Sequence, residues 1–182
     1  MRVAFLFPMA AMLLFTAVAG VEDSPQFTAS GELMRPVNYR EWIYLSSGLG
    51  MTYGPIADAS RDSNPMFDNV FVNRPAYQSF LQKGTWPDKT IFVLEVRSSS
   101  SKASINNGGR FQSGRTGMEA EVKDGGKWTF YSFDGEDGSG KPIPRTARCY
   151  SCHSQNGAVD NTFVQFYPTL LDVARAKGTF KQ

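Results

Sequence analysis

Two neighbouring stretches decide the fold: Met118-Glu119-Ala120-Glu121-Val122 and Trp128-Thr129-Phe130-Tyr131-Ser132-Phe133, separated by Asp124-Gly125-Gly126. The first alternates apolar and polar side chains, the period of a half-buried strand. The second is rich in aromatic residues, which favour pleated backbone. Asp-Gly between two such runs marks an antiparallel hairpin. Upstream, Thr90–Val96 is nearly continuous in β formers and reads as a central strand, and Asn69–Val72 as a shorter one. Between them Pro75 suits the first turn of a helix carrying Tyr77, Phe80 and Leu81, with Gly84 as its stop.

The flanks are less regular. Tyr39–Leu45 is aromatic and β-leaning, with a first turn open to helix. Ser46–Pro65 is rich in Gly, Ser and Asp and reads as loop. Its run Gly48-Leu49-Gly50-Met51-Thr52-Tyr53-Gly54 misses the dinucleotide spacing and has no βαβ context. The serines of 98–101 lead into a long hairpin connection at Asn106-Asn107-Gly108-Gly109. Asp134–Pro144 reads as a mobile loop without the acidic spacing of a calcium site. Phe163–Lys177 reads as an amphipathic helix, with Phe166, Leu170, Leu171 and Val173 on its apolar face, Pro168 near its start and Gly178 as its stop. The expected class is α+β: a mostly antiparallel sheet of four or five strands with flanking helices.

Composition narrows the function. Nineteen basic and seventeen acidic side chains, with 41% hydrophobic residues, exclude a disordered chain and a nucleic-acid grip. Residues 3–19 form an apolar run behind Arg2 and end in Ala17-Val18-Ala19, a small-x-small pattern. This predicts a signal peptide over residues 1–19, a single domain over 20–182, and a periplasmic mature protein without a membrane span.

The two cysteines and the one histidine all fall in Cys149-Tyr150-Ser151-Cys152-His153. Cys-x-x-Cys-His is the attachment pattern of a c-type haem. Two thiols add to the vinyl groups on one edge of the porphyrin, and the next residue supplies the proximal imidazole. A redox Cys-x-x-Cys belongs early in a βαβ unit, and a zinc site needs a fourth ligand that no other Cys or His supplies. The prediction is one covalently attached haem c, held by Cys149 and Cys152, with His153 on the iron. No Met or His follows His153, as a small electron carrier would require; Met34, Met51, Met66 and Met118 lie upstream.

The chain resembles the cytochrome P460 family, including its cytochrome c′-beta branch. The resemblance is carried by Asn38-Tyr39-Arg40-Glu41-Trp42, Val70-Phe71-Val72 with the Pro75–Gly84 helix, and Thr90–Val96. It continues through Gly117–Asp124, Trp128–Tyr131, Cys149–His153 and Phe163–Pro168. It implies a homodimer and a five-coordinate haem with an open distal face. In cytochrome P460 proper, a strand lysine is cross-linked to the haem and the enzyme oxidises hydroxylamine. The matching position here is Leu94, with Lys83 and Lys89 only flanking the strand, and Asp68 aligns with a pocket arginine.

Glu119 matches an acidic distal residue and is the candidate proton acceptor; Glu121 is expected to face outward. Leu94, Phe67 and Phe92 are the distal pocket candidates. Arg145 and Arg148 are candidates to pair with haem propionates or to dock a redox partner. The function so implied is binding of a small nitrogenous or gaseous ligand such as nitric oxide. The alternatives are hydroxylamine oxidation and plain electron transfer to a periplasmic partner.

Overall fold

The computed structural model describes residues 23–52, 64–134 and 138–181. The signal-peptide reading of residues 1–19 lies outside them. Among the described residues no helix is long and apolar enough to cross a membrane.

The β-forming run at residues 90–96 becomes β3 (Ile91–Ser100), third in a six-stranded sheet. The strand order follows the chain: β1 (Ile43–Leu49), β2 (Phe67–Val72), β3, β4 (Phe111–Asp124), β5 (Lys127–Phe133) and β6 (Gly140–Pro142). Every neighbouring pair is antiparallel. The β4–β5 hairpin closes where Asp124 pairs with Lys127, leaving Gly125 and Gly126 as the two turn residues. Both have positive φ, 55° and 73°, as a two-residue primed turn demands.

α1 (Arg74–Lys83) crosses between β2 and β3; it carries Pro75 in its first turn and ends at Gly84 in the left-handed region. α2 (Arg148–Asn156) and α3 (Pro168–Ala176) follow the sheet.

Strand alternation divides the core in two. On one face Val72 and Phe92 pack with Phe80 of α1, with Trp86 and Trp128, and with Leu170 of α3. On the other, Phe71, Ile91, Val93 and Tyr131 pack under Leu33 and Trp42 of the N-terminal segment.

Four expectations need correction. The sheet has six strands. Ser46–Leu49 is strand, because β1 continues past an irregularity at Tyr44/Ser46 and pairs down to Leu49 with Phe67. The stretch read as a mobile loop contains β6, with Gly140 bonded to Leu33 in both directions at 2.7 and 2.9 Å. A Cβ at Gly140 would lie 2.8 Å from the Phe133 ring, so a larger residue there would have to displace that buried ring. The C-terminal segment breaks at Pro168 into a 3₁₀ turn (Val164–Phe166) and α3. Its buried residues are Val164, Tyr167, Leu170 and Ala174, while Phe166 is exposed.

Candidate functional site

α2 begins after Ala147 and has no fully buried residue, although it lies over the sheet. Cys149, Cys152 and His153 stand at i, i+3 and i+4, so they share one helical face. All three line a cleft of about 300 Å³ between α2 and the sheet. Tyr150 fastens the helix from the adjacent position. Its ring meets Phe130 edge-on at 4.6 Å, and its hydroxyl donates to the Ile143 carbonyl and accepts the Phe130 N–H.

The sheet wall of the cleft is read off the register. Val70 pairs with Leu94 and Leu94 with Glu119, while Phe92 pairs with Glu121 and Glu121 with Phe130. The two rows share one face, so the apolar residues form the wall and the two glutamates project into the same cleft. Phe163 and Tyr167 close it from the C-terminal segment.

His153 is the most constrained side chain of the three. Its ring packs against Phe130 at 4.6 Å and Phe163 at 4.4 Å. Nδ1 lies 3.0 Å from the Asn161 carbonyl oxygen. A carbonyl only accepts, so Nδ1 carries the proton and Nε2 keeps its lone pair. Burial lowers the His153 pKa and the Asn161 bond partly opposes it, leaving a neutral imidazole able to act as a metal ligand.

The cytochrome P460 family profile matches residues 36–164, well over half of the chain. The chain belongs to the cytochrome P460 family. No curated protein is a significant match to it. Members of the cytochrome P460 family bind haem c.

The residues of the cleft fit that group. Two free thiols and an imidazole with an available nitrogen face one apolar cavity, and its size falls within the roughly 300–1,000 Å³ of cofactor pockets.

The structure sorts the predicted cytochrome P460 site residues. Cys149, Cys152, His153, Leu94, Phe92 and Glu119 line the cleft together. Phe67 does not, because it is three residues from Val70 along β2 and strand alternation turns it to the opposite face. Glu119 stands at the open mouth, and burial raises its pKa. Burial, and then the Glu119 charge, raise Asp68 as well, so the two carboxyls are neighbours. Arg148 lines the cleft. Arg145 is committed elsewhere, donating to the Trp128 carbonyl at 2.6 Å and to the Thr129 hydroxyl at 3.0 Å. Lys89 pairs with Asp124 beyond the cleft.

Glu121, like Phe67, lies elsewhere than the sequence predicts. It is buried, with Oε2 unpartnered, and points at His153 instead of facing outward. The pairing of Glu121 with Phe130 was available once the hairpin register was known. The Asn161 carbonyl was not, because a backbone acceptor leaves no mark in side-chain identity.

Proposed function

We propose that this chain is an exported mono-haem c-type cytochrome. His153 is its only protein ligand to the iron, and the open side takes a small nitrogenous or gaseous ligand such as nitric oxide. One observation carries this reading: among the described lining residues there is one imidazole and no methionine or lysine. The wall therefore offers no second soft or basic axial ligand. Met118 is buried on the opposite face, its sulfur 3.1 Å from Arg35 Nη1, and Met34 and Met66 are exposed. The apolar run over residues 3–19 supports the exported, periplasmic part of the reading.

When bound, the haem supplies an iron that takes up small ligands and exchanges electrons. The chain's residues do the rest. Cys149 and Cys152 hold the cofactor, and His153 is kept neutral and oriented by Asn161, Phe130 and Phe163. Val70, Phe92 and Leu94 keep the sheet wall dry, which penalises ligands that need hydrogen bonds. Optical spectra of the oxidised, reduced and CO- or NO-treated protein test this. The expected ferrous form is five-coordinate and binds both gases; a six-coordinate ferrous spectrum that ignores CO would make the protein an electron carrier.

Hydroxylamine oxidation is a second reading, favoured by Glu119 at the cleft, with Asp68 close enough for their charges to interact and burial raising both pKa values. A carboxyl tuned upward at the mouth is placed to accept a substrate proton. Leu94 at the lysine position weighs against it. Hydroxylamine-dependent reduction of an electron acceptor, lost in Glu119→Gln, would establish this reading over the first.

A further inference from the structure

On the reading of His153 as the axial ligand of a bound haem, we propose that Gly157 is the residue that positions it. The missing side chain of Gly157 admits the Asn161 backbone against the end of α2. This closeness fixes the hydrogen bond between His153 Nδ1 and the Asn161 carbonyl.

Gly157 caps α2 with φ −69° and ψ 124°, an extended conformation that any residue adopts. Backbone freedom is therefore not what requires glycine here. Space is. A Cβ at this position would lie 2.5 Å from the Asn161 carbonyl carbon, 2.7 Å from its Cα and 2.6 Å from the His153 carbonyl oxygen. All three are backbone atoms, which cannot rotate away as a flexible side chain does. The oxygen on that same Asn161 carbonyl carbon is the one 3.0 Å from His153 Nδ1. One steric contact and one hydrogen bond thus share a single peptide group.

The turn that presents this carbonyl runs through positive φ. Asp160 and Asn161 both have positive φ, 50° and 61°, an uncommon state for residues other than glycine. Three anchors hold them. Trp128 Nε1 donates to the Asp160 carbonyl at 2.8 Å. Lys123 Nζ pairs with the Asp160 carboxylate and donates to the Trp86 carbonyl. Trp86 Nε1 donates to the Thr162 hydroxyl at 2.8 Å. The turn is fastened to the sheet by these bonds and pressed to α2 at Gly157. A hydrogen-bonded Nδ1–H strengthens Nε2 as a donor and fixes the plane of the ring.

The test compares haem-loaded wild type, Gly157→Ala, Trp128→Phe and Gly114→Ala. Gly114 is the control, because a Cβ there meets nothing within 4 Å. A pyridine haemochrome assay first establishes attachment. The iron–histidine stretching band of the ferrous protein and the midpoint potential are then measured.

Gly157→Ala is expected to move the band to lower frequency and the potential upward, since a weaker donor favours ferrous iron. Trp128→Phe keeps the aromatic bulk but deletes the bond to Asp160, and is expected to give a smaller shift of the same sign. Gly114→Ala is expected to match wild type. A folded, haem-loaded Gly157→Ala protein with wild-type band and potential overturns the proposal. Should that variant fail to fold, an unshifted Trp128→Phe protein overturns it equally. A wild-type protein that carries haem but shows no iron–histidine band overturns the five-coordinate, His153-ligated reading on which the proposal rests, an outcome recognisable before any variant is compared.

Discussion

Glu121 Oε2 lies 3.3 Å from His153 Nδ1, yet no hydrogen bond joins them, because the Nδ1 proton is directed at the Asn161 carbonyl. Burial, and then the Asp160 charge, push the Glu121 pKa up to about 8, while burial pulls His153 down. At neutral pH the two meet as a neutral acid and a neutral base, not as an ion pair.

That state has a consequence for stability. The ordinary pKa of the Glu121 carboxyl is 4.5, so the folded chain holds one proton more than the unfolded chain between about 4.5 and 8. Stability therefore falls as pH rises through that window, with a slope of about 1.4 kcal/mol per pH unit from this group. Glu121→Gln, which is neutral throughout, should flatten the slope. Urea unfolding of the haem-free chain at pH 5, 6, 7 and 8 measures it; equal slopes for both proteins would show that Glu121 is already ionised.

Glu95 shows the opposite sign on the opposite face. It is fully buried and accepts from Tyr39, Arg40, Arg97 and Asn69. Burial alone would raise its pKa, but these hydrogen bonds and the two guanidinium charges outweigh it and hold the value below 4.5. Its contribution is present above the unfolded pKa and is lost as pH falls through the folded one. Glu95→Ala removes the acceptor shared by the Tyr39 hydroxyl, Asn69, Arg40 and Arg97 Nε, while Arg97 keeps the Ser113 carbonyl, and should cost about 2–3 kcal/mol. Denaturant unfolding checks the cost. The haem spectrum should be unchanged, because Glu95 lies across the sheet from the cleft.

The contrast between Glu95 and Glu121 shows what was legible in the sequence. Leu94 and Phe92 came from the family resemblance; the run of β formers over Thr90–Val96 put the central strand in its place, because strand preference is a local property. Cys149, Cys152 and His153 were legible for the same reason: their spacing is contained in one helical turn. Glu121 was misjudged because burial depends on what lies above the sheet, and α2 arrives there from 27 residues later. Phe67 was misplaced through register, since one residue decides the face. β6 was missed because its partner across the sheet edge is Leu33, more than a hundred residues away.

Leu94 should govern which ligands enter. It lies on the central strand between Val70 and Glu119 and is half-buried at the cleft. Leu94→Ala removes apolar wall without adding a polar group. Stability should fall by about 2 kcal/mol, the low end for leucine truncation because the side chain is not fully enclosed. Association of bulky alkyl isocyanides with the ferrous protein should accelerate more than that of CO. Equal acceleration of both would show that Leu94 does not shape the ligand's path.

His153→Ala separates attachment from ligation. Cys149 and Cys152 occupy earlier positions of α2 and need nothing from the imidazole to reach the cleft, so thioether attachment should survive. The normal proximal ligation should be lost, with a changed Soret band and no iron–histidine stretch. The space left between Phe130 and Phe163 matches an imidazole, because those rings now pack on one at 4.6 and 4.4 Å. Added free imidazole should therefore restore the proximal spectrum at millimolar concentration, and the Asn161 carbonyl should orient it as it orients His153. Restoration tests the cleft as well as the ligand, since a collapsed cleft would leave added imidazole without effect. An unchanged spectrum in His153→Ala before any addition would place the axial ligand on another residue.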